Sequence, residues 1–182
     1  MTRTVMDTAG VSSALTKIAE EICKTETLAP IAIVGIRRGG EYVARRLVKL
    51  IAEQTGSEPP LGMVDITLYR DDGFGPNDWP DVGITEIPFR LREHTVVLVD
   101  DVLFTGRTVR SALGAILDYG RPRSVRLAVL VDRGHRELPI QSDFTGTVLK
   151  TELSDRVEVM LTEAGAESDS IIVKTSTVED TE

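Results

Sequence analysis

At 182 residues, with 41% hydrophobic and 27% charged side chains, the sequence has the size and balance of one globular domain. It holds no apolar run of about 18 residues that could span a membrane, its start MTRTVMDTAG lacks the apolar core of a secretory signal, and Cys23 alone excludes an intrachain disulfide framework; a cytoplasmic protein is expected. The net charge of −8 is concentrated in residues 151–182, which carry −7, so the nearly neutral remainder argues against general nucleic-acid affinity but leaves room for a local basic face.

In chain order, residues 11–23 place apolar side chains at 11, 14, 15, 18, 19 and 22, the stripe of one helical face. Ile31–Ile36 is a short β-branched run of strand length, and residues 41–52 return to helical spacing. The breaker cluster 56–60 separates that helix from a strand-like run at 61–68. Residues 70–88 are polar, rich in Gly and Pro and without periodicity, as an active-site lid or a disordered segment is. Residues 96–99 read as a buried strand, 109–119 as a helix, 125–131 as a strand and 171–173 as an edge strand. This alternation predicts an α/β fold with a largely parallel central sheet flanked by helices.

The chemistry gathers after the strand at 96–99. Open α/β sheets bind ligands at the carboxyl ends of their strands, and Asp100 and Asp101 stand at that end. Thr105-Gly106-Arg107-Thr108 then opens a helix, whose first amide groups and positive end form an anion site. Carboxylates beside an anion cradle suit a ligand that carries hydroxyls next to its phosphate, as ribose 5-phosphate does. Neither GxxxxGK[ST] nor GxGxxG occurs, and the acidic pocket of a receiver domain has no such turn after it. A second glycine-flanked turn, Gly35 to Gly40, carries Arg37 and Arg38, whose forked donors suit a pyrophosphate.

The segment VVLVDDVLFTGRT (96–108) resembles the phosphoribosyl pyrophosphate (PRPP) signature of type I phosphoribosyltransferases. With ALTKIAEEI (14–22), VGIRRGGEYVARRL (34–47), DITLYRDD (65–72) and GRPRSVRLAVLVDRGHRELPI (120–140) in the same order, the chain resembles the PyrR family, pyrimidine operon regulators with uracil phosphoribosyltransferase activity. The resemblance implies a type I phosphoribosyltransferase fold over residues 1–182, with a flexible loop at about 70–88 and a small hood at about 133–155 with the C-terminal segment. It implies that uracil and PRPP give UMP and pyrophosphate, with Mg²⁺ carried by PRPP near Asp100 and Asp101.

By the same resemblance Asp100, Asp101 and Arg70 are catalytic. Val102, Leu103, Phe104, Thr105, Gly106, Arg107 and Thr108 hold the 5′-phosphate of PRPP or UMP. Ile36, Arg37, Arg38 and Gly39 form the pyrophosphate loop, often with a non-proline cis peptide, and Asp132, Arg133 and Gly134 form the hood that reads the base. The family usually has Thr-Arg-Gly where this chain has Arg38-Gly39-Gly40. A homodimer or larger homo-oligomer is implied, with no membrane partner.

PyrR members also bind pyrimidine-gene leader RNA on a basic face with UMP as co-effector, and Lys17, His135 and Arg136 fit that face. Ser12, Ser13, Glu20, Gln141 and Thr147 stand where the family's usual cations are, and each lost cation removes a phosphate contact. The expectation is catalysis retained with RNA binding weak or lost. Two alternatives remain: an RNA-binding regulator whose pocket senses nucleotide without turnover, and a phosphoribosyltransferase for another base.

Overall fold

The computed structural model describes residues 1–25, 30–71 and 82–175. The middle of the expected loop, with Asp72 and Trp79, and the acidic residues Glu179, Asp180 and Glu182 lie outside them.

Strand β1 (Thr2–Met6) leads into helix α1 (Thr8–Thr25), then β2 (Ile31–Ile36), α2 (Gly39–Thr55) and β3 (Leu61–Val64). Strand β4 (Thr95–Leu103) and helix α3 (Arg107–Asp118) follow, then β5 (Ser124–Asp132), β6 (Phe144–Val148), β7 (Arg156–Met160) and β8 (Ser170–Lys174). Five of these strands make a parallel sheet in the order β3-β2-β4-β5-β6. The expected α/β architecture with a parallel, helix-flanked centre is therefore present.

Both faces of this sheet are buried, which explains the apolar runs in its strands. On β4, Val97 and Val99 join α1 and α2 in one core, while Val96 and Leu98 join α3 in the other. The stripe of α1, including Val11, Leu15, Ile18 and Ile22, is spent on its own sheet and on α2. Each such side chain stabilises the fold by about 1.5–3 kcal/mol on burial. Truncating the fully buried Leu98 to Ala costs roughly 2–5 kcal/mol and would loosen the strand that carries the acidic pair. Helix α2 stops where Gly56 turns left-handed (φ 73°) and donates back to Ala52 O at 2.8 Å.

Three expectations need correction. The run at 61–68 is a strand only to Val64, after which Thr67–Tyr69 make one tight helical turn. Asp65 causes the change: its carboxylate accepts from Thr67 N at 3.0 Å, and its own amide leaves the ladder for Thr85 Oγ1 at 3.0 Å. The helical run expected at 109–119 starts at Arg107, two residues before its first apolar position, because Gly106 (φ 91°) caps it there. Residues 171–173 are no edge: β8 lies between β1 and β7, antiparallel to both, in a second sheet of order β1-β8-β7.

An ion cluster ties α2 to this second sheet. Arg46 donates to Asp169 Oδ1 at 3.0 Å and to Glu163 Oε1 at 2.8 Å, and Asp169 Oδ1 also accepts from Thr162 N at 3.0 Å. The guanidinium beside them holds both carboxyls below their usual range. Among the described residues no helix is long and apolar enough to cross a membrane.

Candidate functional site

The carboxyl ends of β2 and β4 open into a cavity of about 500 Å³. Arg37, Arg38, Gly39, Arg70, Asp100, Asp101, Val102 and Thr108 line it, joined by Asp65, Ile66 and Thr67. Residues from four separate stretches of sequence thus meet in one space. A second hollow of about 380 Å³ adjoins it along Arg70, Thr108 and Ile66, and adds Asp71, Phe104, Thr105, Arg107 and Ser111.

Asp100 and Asp101 are successive residues of a strand that runs on to Leu103, yet both face the cavity. Each bends back on the chain: Asp100 Oδ1 accepts from Asp101 N at 3.0 Å, and Asp101 Oδ1 from Val102 N at 2.9 Å. Asp100 is only 5% exposed. Burial pushes its carboxyl well above the ordinary carboxylate range, and the charge of Asp101 pushes the same way. Burial also raises Asp101, against the hydrogen bonds that its carboxylate accepts. A buried acidic pair of this kind favours a ligand that brings positive charge or donates hydroxyl protons.

The turn before α3 has the shape of an anion cradle. Gly106 occupies the left-handed region, open to glycine at little cost, and caps α3 with no side-chain acceptor for the first amides. Arg107 stands at the rim, held by Glu137 at 2.6 Å and by Asp71 at 2.7 Å. Sequence reasoning missed both carboxylates, since each is some thirty residues from Arg107 and nothing local marks the pairing. The backbone at Tyr69 is anchored to α3 as well, with its carbonyl accepting from Ser111 Oγ at 2.9 Å and Arg110 at 2.8 Å.

In the Gly35–Gly40 turn the Arg37–Arg38 peptide is cis. Arg37 points back to the protein: it donates to Ile84 O at 3.0 Å and to Glu41 at 3.1 Å, with Glu86 at 3.7 Å. The i,i+4 spacing of Arg37 and Glu41 was a signal available in the sequence. Arg38 and Gly39 face the cavity with it, while Ile36 is buried in the core beneath α3.

The segment after β5 folds over the cradle. Glu137 N and Leu138 N both donate to Thr105 O, at 3.0 and 3.2 Å, and Arg133 N to Leu103 O at 3.1 Å. Arg133 is buried, with its guanidinium 4.0 Å over the Phe104 ring. It donates to Glu152 O at 2.7 Å and Asp155 O at 2.6 Å, so the residue works as a tie within the hood. Asp132 Oδ1 accepts from Gly134 N at 2.9 Å and Asp132 Oδ2 from Arg136 at 2.5 Å. Arg136 also serves the carbonyls of Phe104, Gly134 and Ile140. Lys17 reaches Thr145 O at 2.9 Å, and His135 Nε2 lies 2.7 Å from Thr151 O. The three residues expected on a basic face are thus all engaged with protein carbonyls, Arg136 with those of its own loop and of Phe104.

Among the described residues no three His, Cys, Asp or Glu side chains converge as a metal cage. Two adjacent carboxylates fit a Mg²⁺ that keeps most of its ligands on waters or substrate phosphates.

Comparison with known proteins gives a consistent result. Residues 4–165 match the phosphoribosyl transferase domain family. The protein named "Bifunctional protein PyrR" from Geobacter sulfurreducens is 50% identical over 171 residues, covering 93% of this chain and 97% of the relative. Its namesake from Listeria monocytogenes serotype 4b is 49% identical, covering 93% of this chain and 94% of the relative. Among solved structures, the hypoxanthine phosphoribosyl transferase of Trypanosoma cruzi superposes with a TM-score of 0.70 at 13% identity, over 94% of this chain and 90% of that one. At that identity the likeness is one of fold.

Proposed function

The chain belongs to the PyrR family of phosphoribosyl transferases, and from that premise we propose that it joins uracil to PRPP, giving UMP and pyrophosphate. The observation that carries this reading is the meeting of Asp100, Asp101, Arg70, Thr108 and the Arg37–Gly39 turn around one cavity.

In this reading the turn at 105–108 anchors the 5′-phosphate through backbone amides and the Thr105 and Thr108 hydroxyls. Asp100 and Asp101 accept from the ribose hydroxyls and offset the positive charge that grows at C1 as the bond to pyrophosphate lengthens. Charges placed in advance in a buried site act strongly there, because no solvent must reorganise. Arg38 and Arg70 receive the departing pyrophosphate. Asp100 and Asp101 would stand beside a Mg²⁺ brought with PRPP, which would supply positive charge to the leaving pyrophosphate. The hood presents the backbone around Asp132 and Gly134 to the base, and Arg133 keeps that backbone in place.

Purified protein with PRPP and each of uracil, hypoxanthine and orotate tests the proposal. UMP from uracil, with little product from the other bases, is the expected result; no product from any base would refute it.

For the regulatory half of the family's activity, the reading is weak RNA binding. Its support is the commitment of Lys17, His135 and Arg136 to internal acceptors, and of Glu20 to Lys24 at 3.2 Å on the same helix as Lys17. Nanomolar, UMP-stimulated binding to a pyrimidine-gene leader hairpin at physiological salt would overturn this part alone.

A further inference from the structure

Ser111 is a polar side chain shut inside the molecule, 2% exposed at the start of the second turn of α3. A serine within a helix commonly turns its hydroxyl back to the carbonyl four residues earlier. Here the hydroxyl leaves the helix and donates to the Tyr69 carbonyl at 2.9 Å, where Arg110 Nη2 donates as well at 2.8 Å. Two neighbouring residues of α3 thus converge on one oxygen of another segment.

Tyr69 is held elsewhere too. Its amide donates to Ile66 O at 2.8 Å, which closes the tight turn that Asp65 opens through Thr67 N. Its ring runs along α3, with Cδ1 3.5 Å from where a Cβ on Gly114 would stand, and its hydroxyl donates to Asp118 at 2.5 Å. Ser111, Gly114 and Asp118 share one face of the helix by their spacing.

The next residue is Arg70, which lines both hollows of the site. A peptide unit is planar from one Cα to the next, so pinning the Tyr69 carbonyl oxygen fixes the plane that ends at Arg70 Cα. The helix that does the pinning is the one whose first turn belongs to the phosphate cradle, and Ser111 lies about 6 Å along its axis from Arg107.

We infer that Ser111 and Arg110 are positioning residues for Arg70: through the Tyr69 carbonyl they set the distance between that arginine and the 105–108 cradle. The inference rests on the reading of Arg70 as a ligand of the departing pyrophosphate, and adds what places it. A substrate with a phosphate at one end and a pyrophosphate at the other then meets groups already spaced to receive it, and less ordering is left to binding.

The experiment compares Ser111→Ala, Arg110→Gln, the two together, Arg70→Ala and Arg70→Ala/Ser111→Ala in the full chain. Initial rates give kcat and KM for PRPP. Calorimetry gives the affinities for PRPP with Mg²⁺ and for UMP, which carries the 5′-phosphate without the pyrophosphate. Ser111→Ala is expected to melt close to the parent, because the hydrogen bond lost and the helix propensity gained are of similar size. Arg110→Gln, at a half-exposed position, removes the second donor and leaves the core intact. Each single change lowers kcat/KM for PRPP about tenfold, and the two together on the order of 10²-fold, the effect of shifting a binding group by about 1 Å. Affinity for PRPP falls in step, whereas affinity for UMP stays within about twofold, since the cradle is untouched. In the Arg70→Ala background Ser111→Ala alters kcat/KM by less than about twofold, because nothing is left to place.

Unchanged PRPP affinity in Ser111→Ala and Arg110→Gln would overturn the inference. So would equal losses of PRPP and UMP affinity, or a Ser111→Ala effect of the same size with and without the Arg70 side chain. If the parent protein makes no nucleotide from any base, the enzyme reading falls, and the two affinities still decide whether the clamp places Arg70.

Discussion

Replacing Arg133 by Ala removes the tie between β5, the hood and the cradle. The lost guanidinium makes two short bonds to the carbonyls of Glu152 and Asp155 and stacks on Phe104 at 4.0 Å. Hydrogen bonds from a charged donor contribute about 1.5–3 kcal/mol each, and stacking of a cation on an aromatic ring about 0.5–2 kcal/mol. Glu152 is exposed and Asp155 half-buried, so water can reach the abandoned carbonyls and the lower ends apply. The expected loss is roughly 3–4 kcal/mol. For a chain of this length, about 2–4 °C of Tm accompanies each kcal/mol, so the variant should melt roughly 6–16 °C lower. Arg133→Lys keeps the charge but not the fork, and should fall between. Thermal and denaturant unfolding measure the loss, and initial rates should show KM rising for both the base and PRPP, because Arg133 joins the hood to the phosphate cradle. A Tm within about 2 °C of the parent for Arg133→Ala, or full recovery with Lys, would refute the tie.

Other outcomes follow from the same geometry. Arg46→Met should cost about 3 kcal/mol at neutral pH, the effect of breaking a half-buried ion cluster. The depressed carboxyls of Asp169 and Glu163 make that contribution present above the ordinary carboxylate pKa and lost as pH falls through their lower folded values, so urea titrations of parent and variant should converge in acid. Asp100 has the opposite sign: its raised carboxyl means stability is lost as pH rises from the ordinary carboxylate range through the folded value. Asp100→Asn should therefore melt higher than the parent at neutral pH, with the gap closing toward acid, while its turnover collapses. Glu137→Gln removes one of the two carboxylates that hold Arg107 at an exposed site and should change stability by less than about 1 kcal/mol, as measured by denaturant unfolding.

The parts of the site that were legible in the sequence are those whose chemistry is local. β4 and the turn after it declare themselves because a buried parallel strand, an acidic end and a glycine-capped helix follow within thirteen residues, and α1 and α2 by their apolar spacing. Partnerships across the chain left no such trace. β1 (TRTVM) and β7 (RVEVM) are short and half polar, and it is their pairing with β8 that makes them strands. For the same reason residues 171–173 read as an edge, since both neighbours are far away in sequence. Arg133 looked like a residue of the base site, and its work on carbonyls of 152 and 155 depends on a fold-back that no spacing rule predicts. Gly39 stands where the family usually has arginine, and its nearness to the Asp101 carboxyl, some sixty residues on, had no trace in the sequence.

The position of β8 has a consequence for how the chain is made. Among the described strands β1 comes first in sequence and pairs with β8, which comes last, and Met1 N donates to Thr175 O at 2.9 Å. Throughout synthesis, residues 2–6 carry unpaired amides that wait for residues 170–174. The five-stranded sheet is complete in sequence at Val148, so the substrate cavity can assemble earlier, while an open β-edge remains free to pair with a neighbouring nascent chain. A circular permutant that joins the two ends by a short linker and opens the chain in the 150–155 turn would make β1 and β8 neighbours in time as well as in space, and should refold with less aggregation.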